Sequence, residues 1–414
     1  MAPGCKRMPW YSNWKSCGEQ PRRCDCLPEP GGVTLRILAD ENIPAVEHYV
    51  GALGRVERCS GRTLASAQLA GVDVLLVRSV TRVNEQLLAG SGVRFVGTAT
   101  SGVDHVDRAW LQRQGIGFRH APGSNANSVV EYVLAAVAAV GEHLEQLLAG
   151  GSVGIVGYGH IGRAVAARLE RLGIRHRVYD PWLDQQSLPR AASWDELLDC
   201  DVISLHPELT LEQPWPSFHL LEARALSRLP PGCLLINASR GEVLDSAALR
   251  EHLADRNAVD VVLDVWEGEP RVDPRLLRQV QLGTAHIAGY SLDGKLLATR
   301  MLVEAMSAHL GIPWQDPGSA AGEPPPITVA EQLQPAALLR HLLRARYRIE
   351  EDDRALREVA LGDPAAAPAG FDRLRRDYPP RREVCGSRVF MHNPSVASRD
   401  ILRGLGCLLQ EHES

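Results

Sequence analysis

The sequence predicts an α/β protein in which one doubly wound parallel-sheet domain interrupts a smaller one, with a third module added at the C-terminus. Three observations carry this. Short apolar runs alternate with helical stretches from Leu35 onward, the pattern of parallel βαβ units. A glycine-patterned turn at 157–162 follows one such run and opens a helix. A Pro-rich break, 313–326, then separates a charged C-terminal stretch from the rest.

The glycine turn is the most informative segment. Val153 to Val156 reads as a buried strand, and Gly157-Tyr158-Gly159-His160-Ile161-Gly162 matches G-x-G-x-x-G. Ile161, Val165, Leu169 and Leu172 then recur at helical spacing, and a second apolar segment, His176 to Tyr179, ends in Asp180. Gly157 permits the tight turn, Gly159 lets backbone approach a pyrophosphate, and Gly162 lets helix and sheet pack closely. The phosphates belong at the helix N-terminus, where free N–H groups and the macrodipole favour negative charge. Asp180 stands where a carboxylate accepts bonds from the adenosine ribose and repels a 2′-phosphate, which selects NAD over NADP. This is a Rossmann-type fingerprint, and residues 128–287 are read as the dinucleotide domain.

The smaller domain, 33–127, is expected to be flavodoxin-like and completed by 288–312. Its strands are LRILADE (35–41), VDVLLVRS (72–79) and VRFVGTAT (93–100). Their polar tips, Arg78-Ser79 and Thr98 to Gly102, lie where ligands collect, at the carboxyl ends of parallel strands. Pro122 to Asn125 is a turn, and Ser128-Val-Val-Glu131 reads as a capping box that starts a helix. Beyond Asp180, Ser193-Trp-Asp-Glu196 caps another helix, and VISLH (202–206), CLLINAS (233–239) and VDVVLDVW (259–266) are further strands. After the 313–326 linker, residues 327–414 form a mainly helical α+β module with a low-complexity loop at 363–370. Residues 1–32 are read as a disordered extension that a start near Val33 would remove. Cys5, Cys17, Cys24 and Cys26 in it fit no familiar zinc spacing, and no metal site is expected.

The composition is 45% hydrophobic and 23% charged with a formal net charge of −5, which gives no reason to expect nucleic acid or a membrane as partner. The longest apolar helix candidate, Val129 to Val140, contains Glu131 and is too short to span a bilayer. Nine scattered cysteines fit reduced thiols in a cytoplasm.

Three polar residues follow strand ends in the dinucleotide domain: Arg240, Glu269 and His286. Together they match what oxidation of a 2-hydroxy acid needs. A guanidinium fork holds the carboxylate, an imidazole takes the hydroxyl proton, and a carboxylate beside the imidazole steadies its charged form.

These motifs resemble those of the D-2-hydroxyacid dehydrogenases. The resemblance runs from LRILADENIP (35–44) through VRSVTRVNEQLLAG (77–90), FVGTATSGVDHVD (95–107), VVEYV (129–133), LDVWEGEP (263–270) and HIAGYSLDGK (286–295). It continues into the C-terminal module at Asp352-Asp353, Phe371-Asp372, Tyr378 and Arg381-Arg382-Glu383. The resemblance implies Arg240, Glu269 and His286 as catalytic residues, with His286 the proton donor in carbonyl reduction. It implies substrate contacts at Ser79, Thr100 and Tyr290, and further NAD contacts at Ser239, Asp264 and Gly289. A C-terminal module of this kind implies a homodimer and the branch that acts on 4-phospho-D-erythronate in vitamin B6 synthesis. Arg78 is the candidate for the phosphate, helped by a C-terminal arginine of a partner subunit. Ser239 and Ser124 replace usual cysteines, and His206-Pro-Glu-Leu departs from the commoner residue order. Two rivals remain: another 2-hydroxy acid such as 3-phosphoglycerate as substrate, and a non-catalytic NAD sensor.

Overall fold

The structure, a computed structural model, describes residues 34–254, 259–330 and 332–410. The expected extension at 1–32, with its cysteines, lies outside the described residues.

The first sheet comprises β1 (Leu35–Asp40), β2 (Gly54–Cys59), β3 (Val74–Val77), β4 (Phe95–Thr98) and β5 (Gly117–His120). All pair in parallel, in the order β2-β1-β3-β4-β5, which is the flavodoxin-like order. Every side chain of β3 and β4 is buried, so these strands read as unbroken apolar runs and not as alternation. They are shorter than the apolar runs suggest. The Asp73 carboxylate caps the Arg36 N–H before β3, and a Thr81 N–H to Arg78 carbonyl turn follows it. The chain returns to this sheet late: the helix Leu292–Leu310 packs Leu302, Val303 and Met306 against Leu35, Ile37 and Phe95.

The second sheet comprises β6 (Ser152–Val156), β7 (Arg175–Tyr179), β8 (Val202–Leu205), β9 (Leu234–Asn237), β10 (Asp260–Leu263) and β11 (Leu282–Gly283). It is also parallel, in the order β11-β10-β9-β8-β6-β7, and a single bridge from Val178 to Ala191 extends its outer edge. Strand order reverses between β6 and β8, which opens a crevice at their carboxyl ends. The Ser193–Glu196 capping box is present.

The other expected capping box is not. The helix runs Ala126–Ala139, so Ser128 and Glu131 lie inside it, buried. This helix is buried nearly all round, and its two polar residues serve tertiary contacts instead of its own N-terminus. The Ser128 hydroxyl donates to the Ala288 carbonyl at 2.8 Å, and Glu131 accepts the N–H groups of Val384 and Cys385, each at 2.9 Å.

The C-terminal module adds β12 (Ile327–Val329), β13 (Arg388–Met391) and β14 (Leu408–Gln410) as a small parallel sheet in that order. Its helices are Pro335–Arg344, Ile349–Ala360, Ala367–Arg376 and Val396–Leu405. Part of the expected loop at 363–370 is therefore helical from Ala367, with Pro368 in the first turn, where a missing N–H costs nothing. Leu338, Leu339, Leu342 and Leu343 share one core with Val129, Val133, Val165 and Leu169, so the module is packed onto the dinucleotide domain. Residues 313–326 lack regular structure, yet the Trp314 indole N–H donates to the Tyr49 carbonyl at 2.8 Å. The segment is a strap against the small domain, not a free spacer.

Charged groups are buried where the module docks. Glu383 accepts from the Ser291 hydroxyl at 2.7 Å and from the Asn127 amide at 2.6 Å. Burial, then the Glu131 carboxylate beside it, pushes Glu383 from the usual 4.5 up to about 7. A carboxyl whose folded pKa is raised contributes stability that is full below the unfolded pKa and lost as pH rises through the folded one. Wild type is therefore expected to lose stability relative to Glu383→Gln between about pH 4.5 and 7, with a constant difference above that. Melting temperatures of the two proteins across this range check it.

Candidate active site

His286 follows β11 in the left-handed region, φ 55°, a conformation that costs a non-glycine residue roughly 1–3 kcal/mol. Asp264, 1% exposed at the end of β10, holds the segment there. Its carbonyl accepts the His286 N–H at 2.7 Å. Its carboxylate accepts the Thr284 hydroxyl (2.6 Å) and the N–H groups of Ile287 (2.8 Å) and Ala288 (2.9 Å). Asp264, expected along the cofactor site, is thus also the brace of the histidine loop.

So placed, His286 Nδ1 lies 2.6 Å from Glu269 Oε1. Burial pulls the Glu269 carboxyl up, but the hydrogen bond and charge of His286, together with Arg375, outweigh it and hold it below the usual value. An ionised Glu269 accepts the Nδ1 proton, which assigns the tautomer and leaves Nε2 free to take a proton. Glu267 is occupied elsewhere, by His219 Nε2 at 2.8 Å and the Ser246 N–H at 3.2 Å.

Arg240 stands just after β9. Asn237 shapes that turn: its amide donates to the Arg240 carbonyl at 2.9 Å, and its oxygen accepts both the N–H and the hydroxyl of Ser239. Arg240 Nη1 donates to the Ser239 carbonyl, while Nη2 reaches across to the small domain. A Cβ added to Gly102 would lie 3.4 Å from it. The guanidinium thus bridges the gap between the two sheets' carboxyl ends.

The crevice between β6 and β8 fits a dinucleotide. Gly157 has φ 87°, and a Cβ there would meet the backbone of His206 and Pro207. A Cβ at Gly162 would meet the Gly157 carbonyl, whereas one at Gly159 would meet nothing within 4 Å, so the helix His160–Arg171 opens onto free space. No side chain caps that N-terminus, which leaves the His160 and Ile161 N–H groups for an anion. Asp180 is fixed by the N–H groups of Tyr158 (2.8 Å) and Trp182 (3.1 Å) and keeps lone pairs for ribose hydroxyls. Next to Gly157, burial pushes His206 down to about 3, and its Nδ1 has no hydrogen-bond partner among the described residues.

The expected substrate contacts are less uniform. Ser79 is exposed and has no hydrogen bond among the described residues. The Thr100 hydroxyl is tied into its own loop, donating to Gly102 and paired with Thr98. Gly289 marks the crossover between the domains, since a Cβ there would lie 2.5 Å from Asn125 Nδ2. Tyr290 is framed by side chains that sequence reasoning missed: Lys295 Nζ lies 4.7 Å and Arg375 Cζ 6.0 Å from its ring centre. Tyr378 meets it edge-on at 5.8 Å. Arg375, beside this ring, comes from the C-terminal module of the same chain. Lys295 sits in the quoted block HIAGYSLDGK, which could have flagged it. Nothing distinguishes Arg375 within its Arg-rich run.

Comparison with known proteins agrees with this geometry. Residues 135–288 match the NAD-binding domain of D-isomer specific 2-hydroxyacid dehydrogenases, and residues 322–406 match a domain of unknown function. An erythronate-4-phosphate dehydrogenase of Cellvibrio japonicus is 45% identical over 90% of this chain and 99% of its own. One of Marinobacter nauticus is 44% identical over 91% and 100%. Among solved structures, a D-lactate dehydrogenase of Treponema pallidum shares the fold at 23% identity and a TM-score of 0.56, covering 68% of this chain and 99% of its own. The chain belongs to the erythronate-4-phosphate dehydrogenases, within the NAD-binding D-2-hydroxyacid dehydrogenase family.

Proposed function

We propose that the chain oxidises 4-phospho-D-erythronate to (R)-3-hydroxy-2-oxo-4-phosphooxybutanoate, a step toward pyridoxal 5′-phosphate. The observation that carries this is the Glu269–His286 pair with Arg240 reaching across to the small domain, in a chain alike throughout to erythronate-4-phosphate dehydrogenases. NAD, when bound, accepts the hydride from C2. Gly157, Gly159, His160, Ile161 and Gly162 would take its pyrophosphate and Asp180 its ribose, with Ser239, Asp264 and Gly289 along the nicotinamide end. Arg240 would clamp the substrate carboxylate, and Ser79, Thr100 and Tyr290 would contact the rest. As hydride leaves C2, His286 Nε2 would take the hydroxyl proton, and Glu269 would stabilise the resulting imidazolium. Closure of the small domain about the Asn125–Gly289 crossover would exclude water.

Asp180→Ala is expected to weaken NAD binding about 10- to 100-fold, the loss of hydrogen bonds to a charged acceptor, which titration calorimetry reads. The activity itself is tested by NADH formation with 4-phospho-D-erythronate, 3-phosphoglycerate and D-lactate, with and without an added 2-oxo acid as acceptor. Strong preference for the four-carbon phosphate supports the assignment, and preference for 3-phosphoglycerate overturns the substrate. Silence on all three with NAD bound would favour a sensor.

A homodimer joined through the C-terminal module is part of the same reading. The edge strand β14 exposes Leu408, and Val396 is also exposed on this module. Light scattering tests it. A cytoplasmic location is supported by the five described cysteines, all free thiols, and no helix among the described residues is long and apolar enough to cross a membrane.

A further inference from the structure

Around Tyr290 the structure gathers cations that form no salt bridge among the described residues. Lys295, in the first turns of Leu292–Leu310, holds its ammonium over the ring, and Arg375, from Ala367–Arg376, approaches the same ring. Arg375 Nε is buried without a hydrogen-bond partner, and the Lys295 ammonium makes no ion pair or hydrogen bond among the described residues. The Arg78 guanidinium, just after β3, likewise has none. The acids nearby are committed elsewhere. Asp293 pairs with Arg382 at 2.9 Å, Asp352 accepts the Tyr378 hydroxyl at 2.8 Å, and Glu269, which feels the Arg375 charge, gives its hydrogen bond to His286. Burial, then the guanidiniums of Arg78 and Arg381, push Lys295 down to about 8, as expected of a cation crowded by like charge. In a chain of net charge −5 this concentration of unpaired cations is a local feature.

Unpaired, partly buried cations of this kind call for an anion. We infer that Lys295 and Arg375, with Arg78 opposite, form the subsite that holds the substrate's terminal phosphate, a phosphomonoester dianion. An ammonium and guanidinium forks together match its charge and its oxygens. Three parts of the chain contribute: the small domain, the helix after the catalytic loop, and the C-terminal module. The module would therefore complete substrate recognition in its own subunit. The inference rests on the proposed function for the identity of the phosphate's bearer, but not for the phosphate itself.

The test pairs kinetics with binding in the full-length protein. Wild type, Lys295→Met, Lys295→Arg and Arg375→Gln are assayed with 4-phospho-D-erythronate and D-erythronate, and inorganic phosphate is titrated by calorimetry. The kcat/KM preference for the phosphorylated acid should fall at least about 30-fold in Lys295→Met and in Arg375→Gln, since each loses a charged hydrogen bond. Phosphate affinity should fall in step, and Lys295→Arg should keep most of both. Unchanged preference and phosphate affinity in Lys295→Met and Arg375→Gln would overturn the subsite. If wild type ignored 4-phospho-D-erythronate yet bound inorganic phosphate through Lys295, the proposed substrate would fail and the subsite would stand.

Discussion

His286→Ala should lower kcat by about 10²- to 10⁴-fold, the range a positioned general base contributes, while NAD binding stays near wild type. The side chain is half-buried, and its loop is held by Asp264 through backbone groups that the substitution leaves in place. Truncation therefore removes the proton acceptor without releasing the loop. Alanine also tolerates φ 55° poorly, as histidine does, so the backbone strain is similar in both. Glu269→Gln should lose less. Its amide can still accept the Nδ1 proton through oxygen, but it no longer stabilises a charged imidazolium. Steady-state kinetics with both variants, beside calorimetric NAD titration, check the order. A His286→Ala enzyme within threefold of wild type would remove the base from the mechanism.

Arg381→Met should be the most destabilising single change, by about 3–5 kcal/mol, the usual loss when one member of a buried charged network is removed. Arg381 is 8% exposed. Its Nη2 donates to the Ser128 hydroxyl at 2.5 Å and the Ala288 carbonyl at 3.0 Å, and its Cζ lies 4.0 Å from the Tyr347 ring centre. Ser128 and Ala288 come from the two crossovers between the domains, Tyr347 from the C-terminal module, and Ala288 is two residues from His286. Loss of Arg381 would leave the nearby Asp352 carboxyl without the cation that offsets its burial, and Glu131 with Arg168 but not Arg381. Urea unfolding should show the drop. Activity should fall with it, because the catalytic loop and the C-terminal module share this residue. Lysine should restore little, since an ammonium cannot stack on Tyr347 as a guanidinium plane does.

What the sequence made legible follows from how local each signal is. The fingerprint, its strand and helix, and Asp180 all lie within one βαβ unit, where three glycines have separate steric duties. Arg240, Glu269 and His286 each follow a parallel strand, so a strand reading places them at the same edge of one sheet. The contacts missed span distant segments. Glu131 meets Val384, Arg381 meets Ser128, and Arg375 nears Tyr290, and no spacing encodes such pairs. Ser128 and Glu131 show the hazard most clearly. Their spacing is that of a capping box, yet burial on every side of the helix gave both to tertiary partners. The strands of the C-terminal module, three or four residues each, are too short for an alternating pattern to show.

The most direct test of the account follows the reacting carbon. 4-Phospho-D-erythronate labelled with carbon-13 at C2 is incubated with wild-type protein, NAD and a 2-oxo acid acceptor, and the mixture is read by NMR. The labelled alcohol carbon should become a ketone carbon in the wild-type reaction and stay an alcohol with His286→Ala. An unchanged C2 signal in wild type with NAD bound, or conversion by His286→Ala at the wild-type rate, would contradict it.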